Sequence, residues 1–151
     1  MRTMDLTTPE FEDEGEMPDK ISYIRENVNP ELEISEVPED AESLALIMDD
    51  PDAREPAGKI WQHWLVWNIP ADTRNIGEGE SSGVEGTTDF RDTGYGGPNP
   101  PDGEHTYCFR LYALDTELGL EEGATREELD EAIKGHVIER SVLKGSFQPI
   151  E

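Results

Sequence analysis

The sequence predicts a mainly β fold, with two packed sheets and one confident helix. Three observations carry this. Apolar residues gather in short runs at Leu44–Met48, Ile60–Ile69 and Tyr107–Leu114, rich in β-branched and aromatic side chains, as strands are. Turn-forming Gly, Pro and Asp residues punctuate the intervals. A single segment carries start and stop signals for a helix, and strands flank it.

The elements follow in chain order. Residues 1–28 set isolated apolar anchors (Leu6, Phe11, Met17, Ile21, Tyr23, Ile24) among acids, which reads as an irregular arm with an early strand. Asn29-Pro30 is a turn signal. Glu31–Val37 alternates around Leu32 and Ile34, a half-exposed strand, and Pro38–Glu42 is a loop. Ser43–Met48 reads as a buried strand ending at the acidic turn Asp49-Asp50-Pro51-Asp52. A loop over Asp52–Gly58 leads to a strand over Lys59–Ile69, stopped by Pro70. Ala71–Gly103 is Gly-, Ser- and Pro-rich; a loop that long in a compact domain is either functional or disordered.

His105–Leu114 is the next strand, placing His105, Tyr107, Phe109 and Leu111 on one face and Thr106, Cys108, Arg110 and Tyr112 on the other. Thr125-Arg126-Glu127-Glu128 is a capping-box pattern. It opens a helix whose Leu129, Ala132 and Ile133 share a face, closed by Gly135. His136–Phe147 is the last strand.

The chain has 151 residues, expected to form one domain over 1–151, and a domain of that size buries roughly two thirds of its unfolded surface. Lys and Arg total 12 against 36 Asp and Glu, a net charge of -24. Lysine appears only at Lys20, Lys59, Lys134 and Lys144. Such a surface suits concentrated salt, where screening shortens the Debye length to about 3 Å at 1 M. The alternative is an acidic patch for a basic partner, but the acids spread along the chain. The sign of the field argues against nucleic acid. The single Cys108 allows no internal disulfide and reads as a buried, inert thiol. No apolar leader and no run of about 18 apolar residues is present, so the expectation is a cytoplasmic protein that does not span a membrane.

Three stretches are expected to converge on one pocket: Asp49–Asp52, Trp61-Gln62-His63-Trp64, and Gly94–Pro98 continuing to His105-Thr106-Tyr107. If Leu44, Leu46 and Met48 face one side, Asp50 falls on that side too. A carboxylate there could orient a histidine, accept an amine or hold a metal, or simply form a solvated turn. His63 alternates with Trp61, Leu65 and Trp67. His105 and Tyr107, two apart, share a strand face. Buried groups this polar require partners, or a ligand. Gly94, Gly96 and Gly97 permit close backbone approach, Pro98, Pro100 and Pro101 stiffen the loop and could include a cis bond, and exposed amides there could cradle an anion.

These residues resemble the phosphatidylethanolamine-binding protein family, also called Raf kinase inhibitor-like proteins, in its short bacterial and archaeal form. The most specific matches are Leu46–Ala53, His63–Pro70, and Gly94–Pro101 with Gly103, His105 and Tyr107; Gly123-Ala124-Thr125 and Gly135-His136-Val137 also fit. The resemblance implies two packed antiparallel sheets with one or two short helices, and a pocket for phosphate-like anions. By position it assigns ligand binding to Asp50, Asp52, His63, Gly97, Pro98, His105 and Tyr107. Members bind phospholipid head groups, and some inhibit kinases or proteases. Gln62 and Thr106 depart from the eukaryotic pattern, where histidine and arginine are common, and no helix is expected after the last strand. These departures argue against carrying over kinase regulation or lipid specificity, but leave the anion pocket intact.

The expected function is therefore non-enzymatic binding of a small anion, with a kinase or protease client as a further expectation. No catalytic residue, cofactor or metal is assigned. The alternative is a hydrolase, metal-dependent or acid/base, built on the same His/Asp set; no nucleophile-elbow serine supports it. A homodimer is also considered, because Trp61, Trp64 and Trp67 alternate faces and cannot all enter one core layer.

Overall fold

Residues 3–53 and 59–150 are described by a computed structural model. Met1, Arg2, Glu151 and residues 54–58 of the expected Asp52–Gly58 loop lie outside the described residues. The strands are β1 (Asp5–Thr7), β2 (Gly15–Glu16), β3 (Leu32–Ser35), β4 (Ser43–Asp50), β5 (Trp61–Pro70), β6 (Asn75–Ile76), β7 (Val84–Glu85), β8 (His105–Leu114) and β9 (Val137–Phe147), with helix α1 at Arg126–Ile133. Single 3-10 turns occupy Asp19–Ile21 and Pro51–Ala53.

Two sheets result, a small one ordered β1-β3-β6 and a large one ordered β2-β9-β8-β4-β5-β7. Pairing is antiparallel throughout except β2 with β9, which is parallel. The expected architecture stands, and the arm's early strand is β1, paired to β3.

The large sheet is covered on both faces. Leu44, Leu46 and Met48 of β4 face the small sheet, packing with Trp64, Phe109 and Leu111, and with Leu6, Leu32 and Ile34 opposite. Ala45 and Ile47 face the other way, with Leu65, Trp67, Leu114 and the α1 residues Leu129 and Ile133. Double coverage explains why β4 is buried throughout and apolar from Leu44 to Met48, before its acidic end. It also explains Trp64 and Trp67, which fill different cores of this chain; their opposite facing does not require a second copy.

The helix follows its sequence signals. Thr125 Oγ1 accepts from the Glu128 amide, and the Glu128 carboxylate accepts from the Thr125 amide. Gly135 takes a φ of 82° just beyond the end, where left-handed backbone favours glycine.

Strand β5 departs from simple alternation. Its pairing with β4 shifts between Met48 and Asp49, leaving His63 as an extra residue between Trp64 and Gln62. A bulge lets neighbouring residues share a face. Trp61 and His63 therefore turn toward the same side as Trp64, while Leu65 and Trp67 face the helix. The expected grouping of His63 with Leu65 and Trp67 is thus corrected.

Beneath α1 the large sheet carries a polar knot. Asp49 is buried, and its carboxylate accepts from Arg110 at 2.9 and 3.2 Å and from Arg126 at 3.0 Å. Arg126 also donates to Gln62 at 2.8 Å. Both guanidiniums are partly solvated, so Asp49→Ala should cost about 2–3 kcal/mol, less than removing one partner of a fully buried pair. Urea denaturation checks this; a loss below about 0.5 kcal/mol would show that solvent serves the arginines equally well.

Candidate functional site

Because β4 runs antiparallel to both β5 and β8, its last residue lies beside their first ones. Asp50, Trp61, His63, His105 and Tyr107 thus meet at one end of the large sheet. Together with Ala53, Phe90, Asn99, Pro100 and Pro101 they line a cavity of about 250 Å³. That is just below the roughly 300–1,000 Å³ range of small-molecule sites, which limits the occupant to a small group.

His105 is the best-connected group. Its Nδ1 lies 2.6 Å from Asp50 Oδ2 and its Nε2 lies 2.7 Å from Asp102 Oδ1. With a carboxylate at each ring nitrogen, the doubly protonated imidazolium satisfies both acceptors. Burial pulls the ring down, but the Asp50 and Asp102 hydrogen bonds prevail and leave its pKa raised. Burial also raises the Asp50 carboxyl, with the His105 hydrogen bond pulling back.

His63 behaves in the opposite way. It is 3% exposed, and its Nδ1 lies 2.6 Å from the Gly96 carbonyl. A carbonyl only accepts, so the proton sits on Nδ1. Burial pulls the ring down to about 4, leaving it neutral at pH 7. Its Nε2 therefore keeps a lone pair. Tyr107 packs edge-on against His63 at 5.2 Å. Its hydroxyl is pushed up by burial and by Asp50, with the Asn99 backbone opposing, so it stays a neutral donor.

One wall is apolar. Phe90 lies 5.5 Å from Trp61, edge to face, and stacks on Tyr23 at 4.1 Å.

Asp50, His63, His105 and Tyr107 come together as expected. Asp52, Gly97 and Pro98 stand behind the lining. Asp52 accepts from the Thr106 amide at 2.8 Å, and its own amide donates to Asp50 Oδ1 at 2.9 Å, tying the acidic turn to β8. The Gly97 amide donates to Asn27 Oδ1 at 2.8 Å, and the Gly96 amide donates to the His63 carbonyl at 2.8 Å. Pro98 O accepts from Ser22 Oγ at 2.9 Å and the Tyr23 amide at 3.0 Å. These loop amides thus serve the fold and are not turned to a ligand, and none of the described peptide bonds is cis.

Trp61, Phe90, Asn99, Pro100, Pro101 and Ala53 join the lining in addition to the site residues expected from sequence. Trp61 opens one of the three converging stretches without a ligand role assigned to it, and Asn99 to Pro101 continue the Gly/Pro loop, so membership and neighbourhood are the available signals. Phe90 had none, because it lies in a segment of little regular structure. Gln62 faces the Arg126 side of the sheet, so its departure from the family pattern leaves the cavity untouched. Cys108 is buried, and burial pushes its thiol up, in line with an inert role. Among the described residues, no three His, Cys, Asp or Glu side chains are grouped to hold a metal ion. No described helix is long and apolar enough to cross a membrane.

The fold is thus a mainly β protein of two sheets, the larger covered on both faces and carrying a His/Asp/Tyr-lined cavity at one end. The family model described as phosphatidylethanolamine-binding protein matches residues 7–148, and the chain belongs to that family. It is similar to a UPF0098 protein of Methanothermobacter thermautotrophicus, 43% identical over 96% of this chain and 99% of that one. It is also similar to a UPF0098 protein of Chlamydia muridarum, 38% identical over the same shares. Among solved structures, a phosphatidylethanolamine-binding protein homolog from Chlamydia trachomatis superposes with a TM-score of 0.93 at 37% identity, covering 99% of this chain and 100% of that one. E. coli YbcL superposes with a TM-score of 0.89 at 26% identity, over 99% and 100% of the two chains.

Proposed function

We propose that the cavity binds a small anion, phosphate or a phosphorylated head-group-like moiety, without transforming it. The observation that carries this is the nearly buried His105 (4% exposed), with Asp50 at 2.6 Å from its Nδ1 and its pKa raised toward the charged form by Asp50 and Asp102. A charge fixed there offers a charge-assisted hydrogen bond at Nε2, and the Tyr107 hydroxyl adds a second donor. His63 is an acceptor at Nε2, so it recognises a ligand's O–H or N–H and not a bare anionic oxygen. The apolar wall of Trp61, Phe90, Pro100 and Pro101 accommodates the ligand's carbon atoms.

The described lining contains no serine, threonine, cysteine or lysine, so hydroxyl, thiol and amine nucleophiles other than Tyr107 are missing from it. The family's name, with phosphatidylethanolamine in it, supports a phosphate-bearing ligand. A protein client presenting a phosphorylated side chain would use the same donors.

Inorganic phosphate titrated into the protein should shift the His105 NMR signals, and His105→Ala should weaken binding about tenfold or more, the value of a charge-assisted bond. Binding should be present below the raised His105 pKa and fade as pH rises through it, since the neutral ring loses its attraction for an anion. Spectra unchanged at roughly tens of millimolar phosphate would overturn the assignment.

A further inference from the structure

His105 is approached from two sides by unequal carboxylates. Asp50 is buried, and both of its oxygens are committed, Oδ1 to the Asp52 amide and Oδ2 to His105. Asp102 is 54% exposed at its side chain and reaches Nε2 from only three residues away in the chain. It sits just after Pro100 and Pro101, which line the cavity. The Nδ1 edge is closed by Asp50, so an incoming anion can take a hydrogen bond from His105 only at Nε2. That position already holds a carboxylate oxygen at 2.7 Å, the length of a charge-assisted bond to an anion.

We propose that Asp102 is a tethered competitor, its carboxylate occupying on His105 Nε2 the place that a ligand's anionic oxygen must take. This rests on the anion-binding reading of the cavity. Binding then requires the Asp102 side chain to turn out into solvent, which its exposure permits. The apparent affinity is reduced by the fraction of molecules in which Asp102 is seated. Once displaced, Asp102 still adds negative charge at the mouth. Among the described residues at the mouth, His105 then faces Asp50 on β4, Asp52 on the following turn, Asp102 before β8, and the neutral Tyr107 on β8. Asp102 thereby sets a threshold for anion entry and discriminates against weak or highly charged anions.

The experiment titrates inorganic phosphate into the wild type, Asp102→Asn and Asp102→Ala, following the His105 signals by NMR. Both variants should bind phosphate about 2- to 5-fold more tightly than the wild type, the range of a partly exposed ion pair. A residue that merely held the loop in place would give weaker binding when removed. Equal or weaker binding by both variants overturns the competitor and leaves the cavity assignment standing. No binding by any of the three forms overturns the cavity assignment, and the competitor with it.

Discussion

Gly97→Ala should destabilise the protein by about 3–4 kcal/mol, the scale of severe overpacking. A methyl group at Gly97 would sit on the Ile21 carbonyl oxygen, far inside contact distance, with Ser22 behind it. Neither neighbour can give way, because both are backbone. The Ser22 hydroxyl and the Tyr23 amide also grip Pro98 O on the adjoining residue. The clash would therefore part the N-terminal arm from the loop. Urea denaturation of Gly97→Ala beside Gly103→Ala tests this, since a methyl at Gly103 meets nothing within 4 Å. Equal losses in the two variants would show that the close approach is not what the glycine is for.

Acidification should remove a comparable amount of stability through His63. Its folded pKa is lowered to about 4 by burial, against about 6.5 in an unfolded chain. Between those values the unfolded state binds the extra proton, so stability rises with pH across that window. The stability is fully present above 6.5 and is lost as pH falls toward 4, by on the order of 3 kcal/mol. Many carboxylates titrate in the lower part of this range, so the measurement is a difference. His63→Phe removes the titrating ring, and its stability-versus-pH curve should be flatter than the wild type's by that amount between pH 4 and 6.5. Parallel curves would sink the assignment of the slope to His63.

What the sequence made legible was local. The runs at β4, β5, β8 and β9 carry their own hydrophobic patterns, and the Thr125–Glu128 box marks the helix without outside help. The facing of Tyr107, Phe109 and Leu111 followed from alternation alone, because β8 has no bulge before its far end. His63 shows where that logic stops. Its direction depends on an extra residue opposite Met48 and Asp49, and the pairing register is a property of two strands together.

The Gly/Pro loop shows a second limit. Glycines at 96 and 97 announce a close approach, but the sequence does not say to what. Here the partners are the Phe90 ring for Gly96 and the Ile21 backbone for Gly97. A pattern that suggested a ligand cradle reports intramolecular packing. Asp102 is illegible for a related reason, since an acid after two prolines looks like a solvated turn until the fold sets His105 beside it.

The contact between the arm and the Gly97-Pro98 loop also bears on modularity. Every described cavity-lining residue falls between Asp50 and Tyr107, so a fragment cut to that span would hold all of them. It would still lack Ile21, Ser22, Tyr23 and Asn27, which hold the Gly94–Pro98 stretch in place from as far as 76 residues away. The pocket is thus not a portable unit to be transplanted by copying its walls. The scaffolding that fixes its shape is spelled in a part of the chain that never touches the occupant.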